Sequence, residues 1–395
     1  MSTNSVYDAG PDRRIQRIVD ALTVNKGIHH AILAIESGDR SYRRVFVSGE
    51  ANPDGTPMRP QTPFFAASIT KLFIAAAVLK LVERGEVGLS ASIVEYLPRK
   101  VTDGLHRLNG VDYTEQVTVS HLLRHMSGLP DWLEDRAKGR LPLIDRLFAG
   151  NDRSFDVEAI AAVVRDELTP HFPPQDLNAP KPLVRYSDTG FQLLMAIIEA
   201  VTGRRLPDIY RQEIFEPLGM RTTWLPECPP EHTPIAPSTL WVGEHPLELP
   251  LALNSIRDIY STTADLILFL RALVSGTLFE SPQTAETMYD GFRRFSRFWD
   301  RSAFRQPPSL IEYGAGMMRF ALPRVLTPMR RIPAVIGHSG STGTWLFYCG
   351  ELDLYLAGCV DQAGAASLPF RLVPRVLHEV TSAHFTPPGF RSAEA

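Results

Sequence analysis

The sequence predicts a mixed α/β (α+β) protein in which an antiparallel sheet, built from both ends of the chain, is flanked by helices. Strand patterns occur at residues 30–36 and 42–47 and return only after about residue 310. Helical periodicity and proline-rich loops dominate the region between them. A sheet with a mostly helical lobe inserted between its two halves satisfies this order. The expected domains are residues 1–100 plus 310–395, which form the sheet, and residues 101–309, which form the inserted lobe.

Length and composition place the chain among globular proteins with two structural lobes. It has 395 residues, of which 44% are hydrophobic and 22% charged, with 27 glycines and 32 prolines. These proportions exclude collagen-like, coiled-coil and mostly disordered classes. The formal net charge of −3 gives no electrostatic reason to expect nucleic acid or an anionic membrane as a partner.

The sequence gives no sign of a targeting segment or of cysteine chemistry. Residues 1–17 are polar and lack the apolar run of a secretory signal, which predicts a cytoplasmic protein. The most apolar segment, residues 72–82, contains a lysine and is too short to cross a bilayer. The three cysteines, Cys228, Cys349 and Cys359, show neither CxxC nor His/Cys ligand spacing. We therefore expect no disulfide, metal or cofactor, while the oligomeric state stays open.

The first quarter of the chain is predicted to form a helix, two strands and a second helix. Apolar residues recur at helical spacing on one side of residues 12–24. Residues 30–36 and 42–47 favour strands joined by a short turn. Residues 68–84 are hydrophobic on nearly every helical face, which indicates a buried helix that ends before Gly85.

The remaining elements follow from the same two periodicities. Helices are expected at residues 119–126, 189–201 and 263–274, the second closed by Gly203 as its C-cap. Three successive strands at residues 334–338, 344–349 and 354–360 precede a helix near residues 370–384.

The strongest chemical signal is Ser68 followed by Lys71 at the start of the buried helix. Three residues apart on a helix, the two side chains share a face. A serine hydroxyl needs an adjacent base, and a desolvated lysine amine can serve as one. The structural alternative is a serine N-cap followed by a lysine that reaches the solvent. The chain has only six lysines, and this is its only Ser-x-x-Lys pair, which favours function.

Two further motifs carry candidate chemistry. Tyr186-Ser187-Asp188 stands directly before a predicted helix, where serine and aspartate are also common caps. Its functional interpretation is a phenol that shuttles a proton between the serine and a leaving group. Residues 337–343, Gly-His-Ser-Gly-Ser-Thr-Gly, follow a predicted strand, and glycines there mark either a close approach of a ligand or an ordinary hairpin.

The order and spacing of the three motifs resemble the serine β-lactamase and penicillin-binding-protein superfamily. The resemblance is stronger to the branch of class C β-lactamases, D-alanyl-D-alanine carboxypeptidases and family VIII carboxylesterases, and it covers residues from about 31 to 380. Supporting stretches are residues 119–129, 186–220 and 261–273. The resemblance implies a β-lactamase/transpeptidase-like fold.

The resemblance also implies a role for each motif residue. Ser68 would be the acylated nucleophile, Lys71 its base partner, and Tyr186 the group that protonates the leaving group. The backbone N–H groups of Ser68 and Ser341 would form the oxyanion hole. Substrate-binding positions would be Asp188, His338, Ser339 and Gly340.

Two departures from the family pattern bear on the substrate. Family β-lactamases and carboxypeptidases usually carry lysine at the position of His338, where it helps to hold the substrate carboxylate. A histidine is a weaker and pH-dependent anion anchor. The branch commonly has asparagine where this chain has Asp188, and a carboxylate repels an anionic substrate. Both departures favour a neutral or less anionic ester or amide.

The preferred hypothesis is an intracellular serine hydrolase that cleaves a small ester or amide through a Ser68 acyl-enzyme, most similar to a carboxylesterase. The alternatives are a β-lactamase or D-stereospecific peptidase or amidase, an acyltransferase, and a catalytically silent scaffold or binding protein. The small-molecule substrate is the only partner expected. The natural substrate and its acyl chain are not specified by the motifs.

Three other signals are interpreted as structural. His121 and His125 have the spacing of a zinc pair, but neither an HExxH pattern nor a third ligand accompanies them. No serine lies in the GxSxG context of α/β-hydrolases. Residues 292–305 interleave arginines with aromatic residues, and with a near-neutral overall charge they predict a surface loop or pocket flap.

Overall fold

The computed structural model describes residues 9–24, 27–231, 234–296, 310–322 and 331–382. Its strands are, in chain order, β1 (His30–Ser37), β2 (Arg43–Gly49), β3 (Phe64–Phe65), β4 (Arg107–Leu108), β5 (Val111–Asp112), β6 (Trp241–Val242), β7 (His245–Pro246), β8 (Tyr260–Ser261), β9 (Arg293–Arg294), β10 (Ile311–Tyr313), β11 (Met318–Phe320), β12 (Val335–Gly340), β13 (Thr344–Cys349) and β14 (Leu354–Cys359).

The α-helices are, in the same order, α1 (Ala9–Thr23), α2 (Thr70–Glu83), α3 (Arg99–Thr102), α4 (Val119–Leu123), α5 (Leu143–Phe148), α6 (Val157–Glu167), α7 (Asp188–Thr202), α8 (Leu206–Tyr210), α9 (Glu216–Leu218), α10 (Pro250–Ile256), α11 (Thr263–Val274), α12 (Glu286–Tyr289) and α13 (Pro369–Ser382). A π-helical turn, Arg211–Phe215, joins α8 to α9.

Eight strands form one antiparallel sheet in the order β2-β1-β14-β13-β12-β11-β10-β9. The N-terminal strand β1 lies beside the C-terminal strand β14, with Ile32 opposite Cys359. This pairing confirms the expectation that both ends of the chain build the sheet. Strand β9 lies before residue 310, where strands were predicted to return. It was missed because a two-residue edge strand is too short to show an alternating pattern. The domain boundaries themselves stay a prediction.

Helices cover both faces of the sheet, so its central strands are buried on both sides. Leu33 and Ile35 of β1 pack in a core cluster with residues of α1 and α13. The alternate residues Ile32 and Ala34 belong to the other core cluster, which contains α2, α7 and α11. Strand β1 is therefore buried at every position, and it carries an almost unbroken apolar run.

Helix α2 runs through the centre of the second cluster. All its residues are buried except Lys80, Val82 and Glu83. Phe73 stacks on Phe269 of α11 with ring centroids 3.6 Å apart. The prediction of a helix buried on nearly every face is confirmed, and its N-terminal end is thereby fixed beneath the sheet.

The backbone conformation after α7 agrees with the predicted end of that helix, whereas the one after α4 does not. Helix α7 ends at Gly203, whose φ of +64° is that of a left-handed C-cap, as predicted. Helix α4 ends at Leu123 rather than near residue 126, because His125 has a φ of +55° that no α-helix tolerates. The sequence pattern gave no sign of this reversal, which turns the His125 ring toward Tyr186.

Candidate active site

Ser68 lies in a single 3₁₀ turn, Ala67–Ile69, between β3 and α2. The residue before it, Ala67, has a φ of +48°, which is strained for a residue with a Cβ. Two threonine hydroxyls hold this turn: Thr70 donates to Ala67 O at 2.8 Å, and Thr344 donates to Ala66 O at 3.0 Å. Ser68 itself is partly exposed, so the strained turn presents its hydroxyl at the surface of a cavity.

Lys71 lies one turn after Ser68, as the motif spacing predicts. Its Nζ donates to Ser68 Oγ at 3.1 Å and forms an ion pair with Asp188. The ammonium group also lies 5.0 Å from the centre of the Tyr186 ring. Only 3% of Lys71 is exposed, so this lysine does not reach the solvent. The alternative interpretation, a serine N-cap followed by a lysine that reaches the solvent, is therefore wrong as regards the lysine.

The surroundings of Lys71 keep it protonated. Burial alone lowers its pKa, but the charges of Asp188 and Asp258 and the hydrogen bond to Asp188 outweigh burial and raise the pKa above the ordinary value. Burial also raises the pKa of Asp258 to about 7, although the nearby ammonium opposes this shift. Two carboxyl groups thus surround one buried cation beside the nucleophile.

Tyr186 lies on the other side of Ser68 and donates its hydroxyl to Ser68 Oγ at 2.9 Å. Its side chain is 1% exposed. Burial, followed by the charge of Asp188, raises the pKa of Tyr186 well above its usual value, so the phenol is neutral. Ser68 Oγ therefore lies within hydrogen-bonding distance of both Lys71 Nζ and Tyr186 Oη, so the three predicted catalytic side chains meet at this one oxygen.

The loop after α4 fixes the segment that carries Tyr186. Asp188 N donates to Asp131 Oδ2 at 2.8 Å, and Ser187 Oγ donates to Pro130 O at 3.1 Å. Ser187 N donates to His125 Nδ1 at 3.1 Å, and the His125 ring packs on Tyr186 with centroids 4.4 Å apart. These hydrogen bonds fix the backbone at residues 187 and 188, and so help to orient the side chains of Tyr186 and Asp188 toward Ser68 and Lys71.

Sequence reasoning missed several groups of this site. His125 was considered only as one half of a zinc pair, yet His121 binds Gln175 O while His125 packs on Tyr186. The carboxyl groups of Asp131 and Asp258 were not singled out, because no motif contains them and they meet Lys71 and Asp188 only in three dimensions. The burial of Asp131 raises its pKa well above the usual value, with the nearby charge of Asp188 adding to the effect.

Strand β12 packs against the turn that carries Ser68, and Gly340 allows this close approach. A Cβ at Gly340 would lie 2.7 Å from Ala67 Cβ and would also overlap the hydroxyl of Thr344. Gly340 pairs with Thr344 across the β12–β13 hairpin, so neither strand can move aside without losing sheet hydrogen bonds. Glycine is required here by close packing rather than by backbone conformation.

We expect the substitution Gly340→Ala to lower catalytic activity more than it lowers stability. The added methyl group must displace Ala67, whose backbone sets the position of Ser68, and a small misplacement can cost about a hundredfold in rate. The rate of hydrolysis of a p-nitrophenyl ester and the thermal unfolding of the purified variant measure the two effects separately. The substitution Gly350→Ala is the control, since Gly350 has no positive φ and its added Cβ would make only an ordinary contact of 3.5 Å with Tyr348. Equal losses in both variants would contradict the close-packing argument.

The other predicted substrate-binding residues of β12 are buried in the sheet. His338 is 0% exposed, and its Nε2 lies 3.0 Å from Tyr313 Oη. Burial, assisted by the charge of Lys71, lowers the pKa of His338 to about 3, so the ring is neutral at physiological pH. The Ser339 hydroxyl faces Met318 Sδ at 3.9 Å. The structure therefore provides no histidinium at this position, and contact of either residue with substrate stays a prediction.

A cavity of about 70 Å³ opens beside Ser68. Its wall is mainly apolar and includes Phe65, Leu133, Ile144, Leu147, Phe148, Leu240, Leu247, Leu249, Leu253 and Ile256. The polar residues of the wall are Ser68, Glu134, Tyr186, Asp188, Asp258, Ser341 and Thr342. Within the described part of the chain, the wall thus contains three carboxyl groups and no arginine, lysine or histidine.

Ser341, predicted to supply an oxyanion-hole N–H, shares this cavity with Ser68. The turn that follows it is held by the end of β14 and the next residues. Val360 N donates to Gly343 O at 3.2 Å, and Gln362 N donates to Thr342 O at 2.9 Å. The role of the two N–H groups stays a prediction.

Outside the catalytic residues, one buried group could offer ligands to a metal ion among the residues described. His30, Cys359 and Asp361 bring their ligand atoms within 4.8 Å of one another. They already have protein partners: His30 bonds to Glu50 O and Asp361, and Asp361 also accepts from Ser238. Asp361 lies between Val360 and Gln362, whose N–H groups hold the turn after Ser341. We therefore interpret His30, Cys359 and Asp361 as a structural group that supports this turn.

The aromatic and basic segment at residues 292–305 lies mostly outside the described residues, which end there at residue 296. Its role as a loop or flap stays a prediction. Among the described helices, none combines the length and apolar character needed to cross a membrane.

Comparisons with known proteins agree with this geometry. The Beta-lactamase family model matches residues 15–372. Esterase EstB of Burkholderia gladioli is 33% identical over 227 residues, which are 55% of this chain and 52% of EstB. The D-alanyl-D-alanine-carboxypeptidase/endopeptidase AmpH of Escherichia coli K12 is 23% identical over 85% of this chain and 79% of its own length. The chain spans about half the length of EstB.

Solved structures show the same fold. The D-amino acid amidase from Ochrobactrum anthropi SV3, complexed with D-phenylalanine, matches with a TM-score of 0.72 at 22% identity, covering 94% of this chain and 99% of that one. The octameric penicillin-binding protein homologue from Pyrococcus abyssi matches with a TM-score of 0.70 at 23% identity, covering 95% and 78%. The family match over nearly the whole chain, together with the meeting of Ser68, Lys71 and Tyr186, shows that this protein belongs to the β-lactamase family of serine hydrolases.

Proposed function

We propose that the protein is a carboxylesterase-like hydrolase that cleaves small, uncharged esters through an acyl-enzyme on Ser68. The observation that carries the proposal is that Ser68 Oγ accepts hydrogen bonds from both Lys71 and Tyr186 while it faces an apolar cavity. The similarity to an esterase, EstB, adds support.

In this mechanism Lys71 first gives up one of its own protons, Ser68 Oγ attacks the carbonyl carbon, and the Ser68 proton passes to the amine of Lys71. The backbone N–H groups of Ser68 and Ser341 stabilise the oxyanion. His338, Ser339 and Gly340 of β12 are buried behind the cavity and support its wall. Tyr186, a neutral phenol, protonates the departing alcohol. Water then releases the acyl group from Ser68 by the reverse sequence of proton transfers.

The wall of the cavity supports an uncharged acyl group. The described wall offers no basic residue to bind a substrate carboxylate, and Glu134 repels one. Asp188 is already paired with Lys71, and Asp258, with a pKa of about 7, is partly charged at neutral pH and adds to the repulsion as the pH rises. A free space of about 70 Å³ is far below the roughly 300–1,000 Å³ of pockets that hold drug-sized ligands, which favours an acyl chain of a few carbon atoms. We therefore infer a preference for short acyl chains.

A D-alanyl-D-alanine carboxypeptidase is the second candidate, because the similarity to AmpH extends over 85% of the chain. Its substrate ends in a carboxylate, which the acidic wall disfavours. Acylation by a penicillin, followed by mass spectrometry of the intact protein, tests this alternative directly.

We expect p-nitrophenyl acetate, propionate and butyrate to be hydrolysed faster than the octanoate. The substitution Leu253→Ala removes cavity-wall atoms and should move the optimum toward longer chains, whereas Leu251→Ala should leave it unchanged. Both leucines belong to α10, but Leu251 is 49% exposed and does not line the cavity. The measurement is kcat/KM for each ester. A wild-type optimum at octanoate, or equal shifts in both variants, would contradict the role given to the cavity.

A further inference from the structure

The resting site contains no free base beside Ser68. Lys71 Nζ and Tyr186 Oη both donate hydrogen bonds to Ser68 Oγ. The pKa of Lys71 is raised, mainly because the charges of Asp188 and Asp258 outweigh burial, so at neutral pH the side chain is an ammonium. The pKa of Tyr186 is raised by burial, so it is a phenol. Neither group can accept the Ser68 proton until one of them gives up its own.

The charged and titratable groups around Lys71 come from several elements. The pKa values of two neighbouring histidines, His125 after α4 and His338 of β12, are lowered by burial and by the charge of Lys71 itself, so both rings are neutral. Burial raises the pKa of Tyr313 of β10, which keeps that hydroxyl neutral. Among the described residues whose charge acts on Lys71, the carboxyl groups of Asp188 and Asp258 are therefore the ones that can take a proton.

Of these two carboxyl groups, Asp188 alone forms an ion pair with Lys71 among the described contacts. Its Oδ1 accepts directly from the same Nζ that contacts Ser68 Oγ. The three groups form a continuous chain, Ser68 Oγ to Lys71 Nζ to Asp188 Oδ1. Asp258 acts on Lys71 through its charge, without a direct ion pair among the described contacts.

We propose that Asp188 is the proton acceptor that frees Lys71 to act as the base toward Ser68. This inference rests on the proposed function. As Ser68 Oγ attacks, its O–H bond breaks and an N–H bond forms at Lys71, while another N–H bond of Lys71 breaks and an O–H bond forms at Asp188. The Oγ electron pair forms the new bond to the carbonyl carbon. Lys71 stays an ammonium throughout, and Asp188 becomes a carboxylic acid.

The proton returns when the tetrahedral intermediate collapses. Asp188 gives its proton back to Lys71, Lys71 passes one to the Tyr186 oxygen, and Tyr186 gives its own proton to the leaving oxygen as the bond to carbon breaks. Each group then has the charge with which it began.

The test is the pH dependence of kcat/KM for a short p-nitrophenyl ester in the full-length protein and in the Asp188→Asn variant. Asparagine retains the size of the side chain and an oxygen that accepts from Lys71, but it cannot take a proton. Without the carboxylate, burial lowers the pKa of Lys71, and activity requires the free amine. We expect kcat/KM of the variant to rise about tenfold per pH unit above about pH 6, whereas that of the wild type stays nearly constant.

The matched control is Asp258→Asn, which removes the second carboxyl group near Lys71 without removing the ion pair. Because the pKa of Asp258 is about 7, this variant also eliminates its own titration from the same pH range. Because Asp258 lines the cavity, we expect the activity of this variant to change in size, but not to rise tenfold per pH unit. A flat profile for Asp188→Asn with activity within about threefold of wild type, or a profile of Asp258→Asn as steep as that of Asp188→Asn, would overturn the proposal.

A measurement on the unaltered protein covers the case in which Asp188→Asn does not fold. The rate of acylation in mixtures of H₂O and D₂O reports how many protons move in the transition state. We expect a curved dependence, which indicates two protons in motion; a straight line would overturn the proposal. Failure of the proposed function is distinguishable, since the wild type would then form no acyl-enzyme detectable by mass.

Discussion

The substitution Ser68→Ala is expected to abolish ester hydrolysis while the protein stays folded. Removing the attacking oxygen eliminates the acyl-enzyme route, and losses on this scale are at least about a thousandfold in kcat. Ser68 Oγ makes hydrogen bonds only with the side chains of Lys71 and Tyr186 among the described contacts, so its removal leaves the turn and α2 in place. We expect a change in unfolding free energy of about 1 kcal/mol or less.

Two measurements separate chemistry from folding in this experiment. Labelling by a fluorophosphonate, followed by intact mass, should add one group to the wild type and none to Ser68→Ala. The control is Ser275→Ala, since Ser275 lies after α11 and bonds only within its own turn and to Thr277. Turnover that survives in Ser68→Ala would show that another residue is the nucleophile.

The substitution Lys71→Met is expected to cost both activity and stability. Methionine fills the space of the lysine stem but offers no proton acceptor or donor, so we expect kcat to fall by about a thousandfold or more. The carboxylate of Asp188 loses its ion-pair partner in a poorly hydrated place. Its side chain is 18% exposed, so we expect a loss of about 2 kcal/mol, below the range for fully buried pairs. Urea unfolding at about pH 8 measures this loss.

The double variant Lys71→Met/Asp188→Asn distinguishes the two effects. Because the unpaired carboxylate is gone, most of the lost stability should return, whereas activity should not. A double variant as unstable as Lys71→Met would mean that packing, rather than the unpaired charge, causes the loss. A single variant that keeps more than about a tenth of wild-type kcat/KM would exclude Lys71 from the chemistry.

The sequence predicted the elements whose pattern is local. The helix predicted at residues 263–274 has the same bounds as α11. This agreement is expected because helical periodicity and the side-chain cap at Thr262 both act within one turn of the chain. The strand at residues 344–349 was also predicted with its observed bounds. Strands of two or three residues, such as β9 and β10, were not, since they owe their conformation to pairing with distant partners.

The sequence also predicted which three side chains meet beside the cavity. Ser68 and Lys71 share one helical turn, and Tyr186 belongs to a motif with a family resemblance, so their identity needed no coordinates. Tertiary structure decided the charge of each group and its surroundings. Asp131 and Asp258 surround Lys71 and Asp188 from separate loops, and burial turns His338 from an expected anion anchor into a neutral partner of Tyr313. Such effects depend on distances of a few ångströms between residues far apart in the chain, and on exclusion of water, neither of which local patterns encode.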